Sequence, residues 1–226
     1  MKMNAWLGRA PAALLFDLDG TLLDSAPDLA QAVDRMLIDL KFSAAGETLV
    51  RQWVGNGSRM LVRRALAFAT ENRPLNDSAV EAAQQLFFTH YENCLTDRSR
   101  LYDGVMEAVT YWHELGIRCA CVTNKPARFT EPLLDHFGLR ALMPVAISGD
   151  SLPVRKPDPA PLLEACRQLG VAAASSVMIG DSRNDVLAAR SAGMPVVCVT
   201  YGYNYGRPIA EEAADLLVDS LAELIG

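Results

Sequence analysis

Ala12-Ala13-Leu14-Leu15-Phe16-Asp17-Leu18-Asp19-Gly20-Thr21 carries an apolar run straight into two carboxylates one residue apart, then into Gly-Thr. A strand that only packs a core ends in a turn residue. In extended chain, side chains two apart point the same way. Asp17 and Asp19 therefore address one point in space, once Gly20 lets the chain turn. What else reaches that point depends on the elements that follow.

Short apolar runs at 12–16, 117–122, 144–147, 176–179, 195–200 and 216–218 read as buried strands. Helical patterns lie between them. Val105–Leu115, Pro126–Phe137, Pro159–Leu169 and Asp185–Ala192 are each followed by a glycine, the common left-handed stop. Pro132 is expected to bend or split the second of these. Strands alternating with helices predict an α/β fold with a doubly wound, mostly parallel sheet, a Rossmann-like core.

One segment breaks the alternation. From 25 to 97 the pattern is helical throughout: Pro27–Leu40 capped by Ser25, then Glu47–Val54 and Ser58–Ala69 flanking Gly55-Asn56-Gly57. Ser78-Ala79-Val80-Glu81 fits a capping box for the next helix. Val80, Ala83, Phe87, Tyr91 and Cys94 follow at helical spacing as a packing stripe. The expected division is a catalytic core of residues 1–24 plus 98–226, with a helical cap, 25–97, inserted after the first strand. Such a cap sits at the carboxyl end of the sheet, where ligands bind in these folds.

Composition narrows the partners. A net charge of −6 argues against a broad nucleic-acid-binding surface, so a small anionic ligand needs a locally positive site. The five cysteines are odd in number and contain no C-x-x-C pair, which reads as buried, reduced thiols. His90, His113 and His136 show no zinc-ligand spacing. Lys2 and Arg9 precede Asp17 without a continuous apolar h-region, so neither a signal peptide nor a membrane span is expected. The expectation is a cytoplasmic protein, monomer or homodimer, with no membrane partner.

The strand ends converge. The first ends in Asp17-Leu18-Asp19 and the second in Thr123-Asn124-Lys125. Arg155-Lys156-Pro157 follows the third, and Gly180-Asp181-Ser182-Arg183-Asn184-Asp185 closes the fourth. In a parallel sheet these ends share one edge. One carboxylate of the Asp17/Asp19 pair can attack phosphorus while the other protonates the leaving oxygen. A phosphoryl dianion repels such a nucleophile, and a carboxylate-bound cation with Lys156 and Thr123 offsets that repulsion. The all-oxygen donor set favours Mg²⁺ over zinc.

Asp17-x-Asp19-Gly20-Thr21-Leu22-x-Asp24-Ser25 resembles the signature of haloacid-dehalogenase-like phosphatases, and Thr123, Lys156 and Asp181/Asp185 resemble its remaining motifs. Trp53-Val54-Gly55-Asn56-Gly57 and Tyr201-Gly202-Tyr203-Asn204-Tyr205-Gly206 resemble one branch, the bacterial phosphoglycolate phosphatases. The resemblance implies hydrolysis of a small phosphate monoester, with 2-phosphoglycolate foremost. It implies Asp17 as nucleophile and Asp19 as general acid, then base. By the same resemblance, Thr123, Lys156 and the Asn124 amide are expected to hold phosphoryl oxygens. Asp17, the Asp19 carbonyl and Asp181 ligate Mg²⁺, with Asp185 acting through water or a neighbouring group. Sugar-phosphate phosphatases, pyrophosphatases and phosphomutases share these motifs, which do not fix the leaving group. A phospho-receiver protein also gathers acids around Mg²⁺, but has no helical lid and needs no acid two positions past the nucleophile.

Phosphoglycolate carries a second anion. Gly55-Asn56-Gly57-Ser58 just before a helix suggests a seat for it, with Gly57 amides and the helix dipole, and with charge from Arg59 or Arg63. The competing reading is a simple helix–helix turn flanked by solvated arginines.

Overall fold

The computed structural model describes residues 2–225. Its centre is β1 (Ala13–Phe16), buried at all four positions. This strand pairs in parallel with β4 (Arg118–Val122) on one side and β6 (Ser176–Gly180) on the other. With β5 (Val145–Ile147), β7 (Val196–Val199) and β8 (Leu216–Val218), these strands form a six-stranded sheet in the order β5-β4-β1-β6-β7-β8. Every pairing in it is parallel. The order reverses direction between β1 and β6, so the carboxyl edge there is a natural crevice.

Alternation along the strands builds two cores. Leu14 and Phe16 of β1 face one side with Cys119, Cys121, Val177 and Ile179, covered by α6 (Val105–Glu114) through Trp112. Met3 of α1 (Lys2–Leu7) joins this layer. Ala13 and Leu15 face the other side, under α8 (Ala160–Leu169) and α9 (Arg183–Ser191). All five cysteines are buried and unpaired.

Between these layers in the chain, but not in the sheet, come α2 (Ala26–Asp39), α3 (Glu47–Trp53), α4 (Ser58–Ala69) and α5 (Asp77–Glu92). They pack a core of their own, in which Val33, Leu37, Val62, Phe87 and Tyr91 are buried. Phe129, from α7 (Ala127–His136), and Tyr203 join it from the other part of the chain.

Three local expectations are corrected. Pro132 lies inside α7 without dividing it. The one hydrogen bond it forfeits would end on the carbonyl of Arg128, a solvent-exposed residue near the helix start. The cap of α5 is Asn76, whose side chain accepts from the Ala79 N–H at 2.8 Å, while Ser78 Oγ donates to that same Asn76 oxygen. Ser25 sits at the N-cap of α2 but makes no side-chain cap, because its hydroxyl donates to Asp19 at 2.5 Å.

The two passages between sheet and helical segment run side by side as a short antiparallel ribbon, β2 (Leu23–Asp24) with β3 (Arg100–Leu101). Asp28, fully buried in the first turn of α2, locks this ribbon. Its carboxylate accepts from Arg98 N, Ser99 N (2.7 Å) and Ser99 Oγ (2.6 Å). Removing the acceptor strands three donors, and each buried donor left unpaired costs ~1–3 kcal/mol. Asp28→Ala is expected to lower unfolding free energy by about 3 kcal/mol in urea titration with an unchanged slope. A loss below ~0.5 kcal/mol, the scale of an ordinary surface change, would show that the ribbon does not depend on this clamp.

Candidate active site

Each strand end places one group at the crevice. Asp17 follows β1 directly, Thr123 follows β4, Lys156 comes from the loop after β5, and Asp181 follows β6; all four are buried. Lys156 Nζ lies 2.9 Å from Asp17 Oδ1 and 2.7 Å from Asp185 Oδ1, and donates to the Val122 carbonyl at 2.6 Å. Lys156 is the group that neutralises this buried Asp17 oxygen, and no other donor among the described residues reaches it.

Asp17, Asp181 and Asp185 bring carboxylate oxygens within 4.8 Å of one another. Their roles separate by what already binds them. Asp185 is saturated: its second oxygen accepts from Ser182 Oγ at 2.7 Å and Ser182 N at 3.1 Å, closing a capping box at the start of α9. That cap starts α9 at Arg183, earlier than apolar spacing alone suggests. Asp181 accepts from Thr21 Oγ1 (3.1 Å) and Tyr203 N (2.7 Å). Gly20 packs so closely on Asp181 that a Cβ would overlap its carboxylate, and its φ of +90° is one that glycine tolerates best.

Crowding shows in the titration of these acids. Burial pushes the Asp17 carboxyl up to about 6, Lys156 pulls against it, and the charges of Asp185 and Asp19 push further. Asp181 is raised well above the usual carboxylate range, by burial first and then by Asp17 and Asp185. Burial alone lowers the Lys156 ammonium pKa, but Asp17 and Asp185 reverse this and raise it. A buried cluster with three acids to one ammonium, all of its free donors carboxylate oxygens, is a fitting site for a hard cation.

Asp19 lies beside this cluster. Ser25 Oγ donates to its Oδ1, and Lys125 Nζ sits 2.9 and 3.1 Å from its two oxygens. Asp17, Asp19, Thr123 and Lys125 line one cleft together with Gly57, Ser58, Phe87 and Tyr91 of the helical segment.

The remaining residues fall differently. Both side-chain N–H groups of Asn124 are taken, by the carbonyls of Gly55 (3.0 Å) and Lys156 (2.9 Å). Gly57 lines the cleft, but a Cβ there would lie 2.5 Å from Arg155 Nη1, and its φ is +82°. A bulky residue would strain the loop before it disturbed any ligand. Arg59 and Arg63 both pair with Asp77, and neither lines the cleft.

Sequence reasoning passed over Lys125, Asn184 and Tyr203. The Tyr203 hydroxyl donates to Asp24 and accepts from Ser25 N and Ala26 N, each at 3.0 Å. Asn184 Nδ2 donates to the Gly55 carbonyl at 3.0 Å and to Tyr205 Oη at 2.6 Å. The signal for the tyrosines was their clustering in a glycine-flanked run. Nothing local marked Asn184 beyond its place between Asp181 and Asp185.

Acids from β1 and β6, a hydroxyl after β4 and a buried lysine after β5 define a phosphoryl-transfer site on a doubly wound sheet. A family model of haloacid dehalogenase-like hydrolases matches residues 11–193, and the chain belongs to that family. Within it, the chain is 49% identical over 96% of its length to a phosphoglycolate phosphatase of Pseudomonas fluorescens, covering 80% of that protein. It is 45% identical to one of Nitrosococcus oceani, covering 96% of each. A crystal structure described as a predicted phosphoglycolate phosphatase from Haemophilus somnus superposes with a TM-score of 0.90 at 38% identity, covering 95% of this chain and 96% of that one.

The Gly55 carbonyl is one point where the helical segment meets the sheet side, held by Asn124 and Asn184 together. Asn184→Ala removes one of those donors and the partner of Tyr205. At about 1 kcal/mol per neutral hydrogen bond, amide exchange across residues 54–58 is expected to quicken ~10-fold by mass spectrometry. Unchanged exchange there would show that the contact does not restrain the loop.

Proposed function

We propose that the chain is a Mg²⁺-dependent phosphatase hydrolysing 2-phosphoglycolate through an aspartyl-phosphate on Asp17, with residues 25–97 acting as a cap over a core of 1–24 and 98–226. The chemistry rests on one observation: buried Asp17, with Lys156 as its one charge partner among the described residues, faces a cleft that Asp19 also lines. The substrate rests on the names borne by relatives similar over nearly the whole chain.

An Asp17 oxygen attacks phosphorus, and the ester oxygen departs with a proton from Asp19. Asp19 then takes a proton from water, whose oxygen attacks the aspartyl-phosphate, releasing phosphate and restoring Asp17. Lys156 and Thr123 hold non-bridging oxygens, and Lys156 also keeps Asp17 charged and oriented. Asp17, Asp181 and the Asp19 carbonyl would hold Mg²⁺, which supplies positive charge against the phosphoryl oxygens. Asp185, with its oxygens committed to Ser182 and Lys156, orients that lysine. No described helix is long and apolar enough to cross a membrane, consistent with action on a small dissolved ester in the cytoplasm.

Phosphate release from phosphoglycolate, ethyl phosphate and several sugar phosphates tests the reading. The highest kcat/KM is expected for phosphoglycolate; a higher value for a sugar phosphate would replace the substrate and leave the chemistry standing. Asp17→Asn is expected to lower kcat by ~10³ or more and to abolish the phosphoenzyme seen after acid quench. Near-normal turnover by that variant refutes the mechanism.

Metal binding has a readout independent of turnover. At free Mg²⁺ ~100-fold above its dissociation constant, the fold gains about 2.7 kcal/mol. That raises Tm by roughly 5–10 °C in a domain of this size. Asp181→Asn should lose most of the rise in a thermal scan. An equal rise in both proteins would place the cation elsewhere.

A further inference from the structure

Lys125 has no role in the hydrolysis set out above, yet it is buried along with the groups of the site. Its side chain is 3% exposed, and its ammonium covers both oxygens of Asp19. It also lies 4.7 Å from the ring centroid of Tyr91, which α5 brings over from the helical segment. Its backbone is pinned: the N–H donates to Thr123 Oγ1 at 3.2 Å, and the carbonyl accepts from Gly149 N at 2.8 Å. The cation therefore stands at the seam between sheet and helices, beside the acid that must meet the leaving oxygen.

Most other positive groups nearby are committed, and Arg155, which approaches Gly57, is exposed and does not line the cleft. Lys156 is held by Asp17, Asp185 and the Val122 carbonyl. Arg59 and Arg63 share Asp77, and Arg64 serves the Trp53 carbonyl and Asn56. Among the described residues lining the cleft, Lys125 is the one cation. Tyr91 lines the same cleft, and its buried hydroxyl has no partner within the protein.

We infer that Lys125 is the specificity-determining cation of this cleft, receiving a carboxylate that the substrate carries one methylene beyond its ester oxygen. The inference rests on the phosphatase reading above and deepens it. Asp19 must touch the ester oxygen, and in such a substrate the carboxylate carbon lies only two bonds further on. A cation for that carboxylate has to stand within hydrogen-bonding range of Asp19, and Lys125 Nζ does. An ammonium has three N–H donors, so it can hold the incoming carboxylate while keeping one contact to Asp19. The exchange also frees an Asp19 oxygen, which the ester oxygen needs. A leaving group without the carboxylate offers Lys125 nothing in return, and a site built for a charged partner rejects analogues that lack it.

The experiment compares kcat/KM for phosphoglycolate with that for ethyl phosphate, in the Mg²⁺-loaded wild type and in Lys125→Met, Lys125→Gln and Lys125→Arg. Both esters lose rate when a neighbour of Asp19 changes, so the ratio of the two values is the readout. Wild type should favour phosphoglycolate. Losing a charge-assisted hydrogen bond should shrink the ratio ~10–10²-fold in the Met and Gln variants, while Arg retains most of it. The Gln variant keeps a polar side chain at the Asp19 contact, so it carries the test if circular dichroism shows the Met variant unfolded. A wild-type ratio near one overturns the phosphoglycolate reading and this inference together. A wild-type preference that persists in the Met or Gln variant overturns the role of Lys125 alone.

Discussion

Three carboxylates held together by one buried ammonium are the constraint on which the rest of this structure depends. Asp17, Asp181 and Asp185 converge from the ends of β1 and β6, and Lys156 touches two of them. Isolated buried charges cost several kcal/mol each, and removing one partner of a buried pair leaves the other uncompensated. The sheet supplies the compensation that water would otherwise give. The capping box of α9 anchors Asp185, the Val122 carbonyl anchors Lys156, and Thr21 and the Tyr203 backbone anchor Asp181. Asp17 alone keeps an oxygen without a hydrogen bond. The acid least engaged by hydrogen bonds is thus the one that the proposed mechanism uses as nucleophile, and its neighbours are held in place around it.

The helical segment extends this constraint beyond the sheet. Ser25, just past the β2–β3 ribbon, gives its hydroxyl to Asp19 and its N–H to Tyr203, so the passage into α2 is tied to the acid itself. At the opposite side of the cleft, the Gly55 carbonyl takes hydrogen bonds from two asparagines that follow different strands. Closure is therefore registered by both halves of the sheet. The segment tied at these places lines the cleft with Phe87 and Tyr91, apolar surface that lowers the local dielectric and strengthens the electrostatic contacts beside it.

Much of this was legible in the chain, for reasons that differ by residue. The six strands and the inserted helices follow from periodicity, which burial imposes directly on sequence. Asp17, Thr123, Lys156 and Asp181 follow because parallel strands bring their carboxyl ends to one edge, whatever the details of packing. Lys125 was not legible as a site group. Its partner Asp19 is 106 positions away, and a lysine in a strand-end loop reads as solvated until burial is known. Asn184 reaches across 129 positions to a backbone carbonyl, a contact with no side-chain signature at its other end. Arg59 and Arg63 follow Gly57 closely in the chain, but adjacency in sequence says little about direction on a helix, and both pair with Asp77.

The two lysines divide the electrostatic work in a way that explains why both are buried. In the proposed mechanism Lys156 is bound on the side of the attacking oxygen, between Asp17 and Asp185. Lys125 is bound on the side of the departing group, to an acid on one flank and an aromatic face on the other. Attraction to a ring is weaker than attraction to a second carboxylate. The first cation is fixed by two strong partners and serves chemistry common to phosphate esters. The second has one strong partner and one weak one, so an incoming anion can redirect it. Specificity for the leaving group then resides where the cation is least committed, which is also where the helical segment meets the sheet.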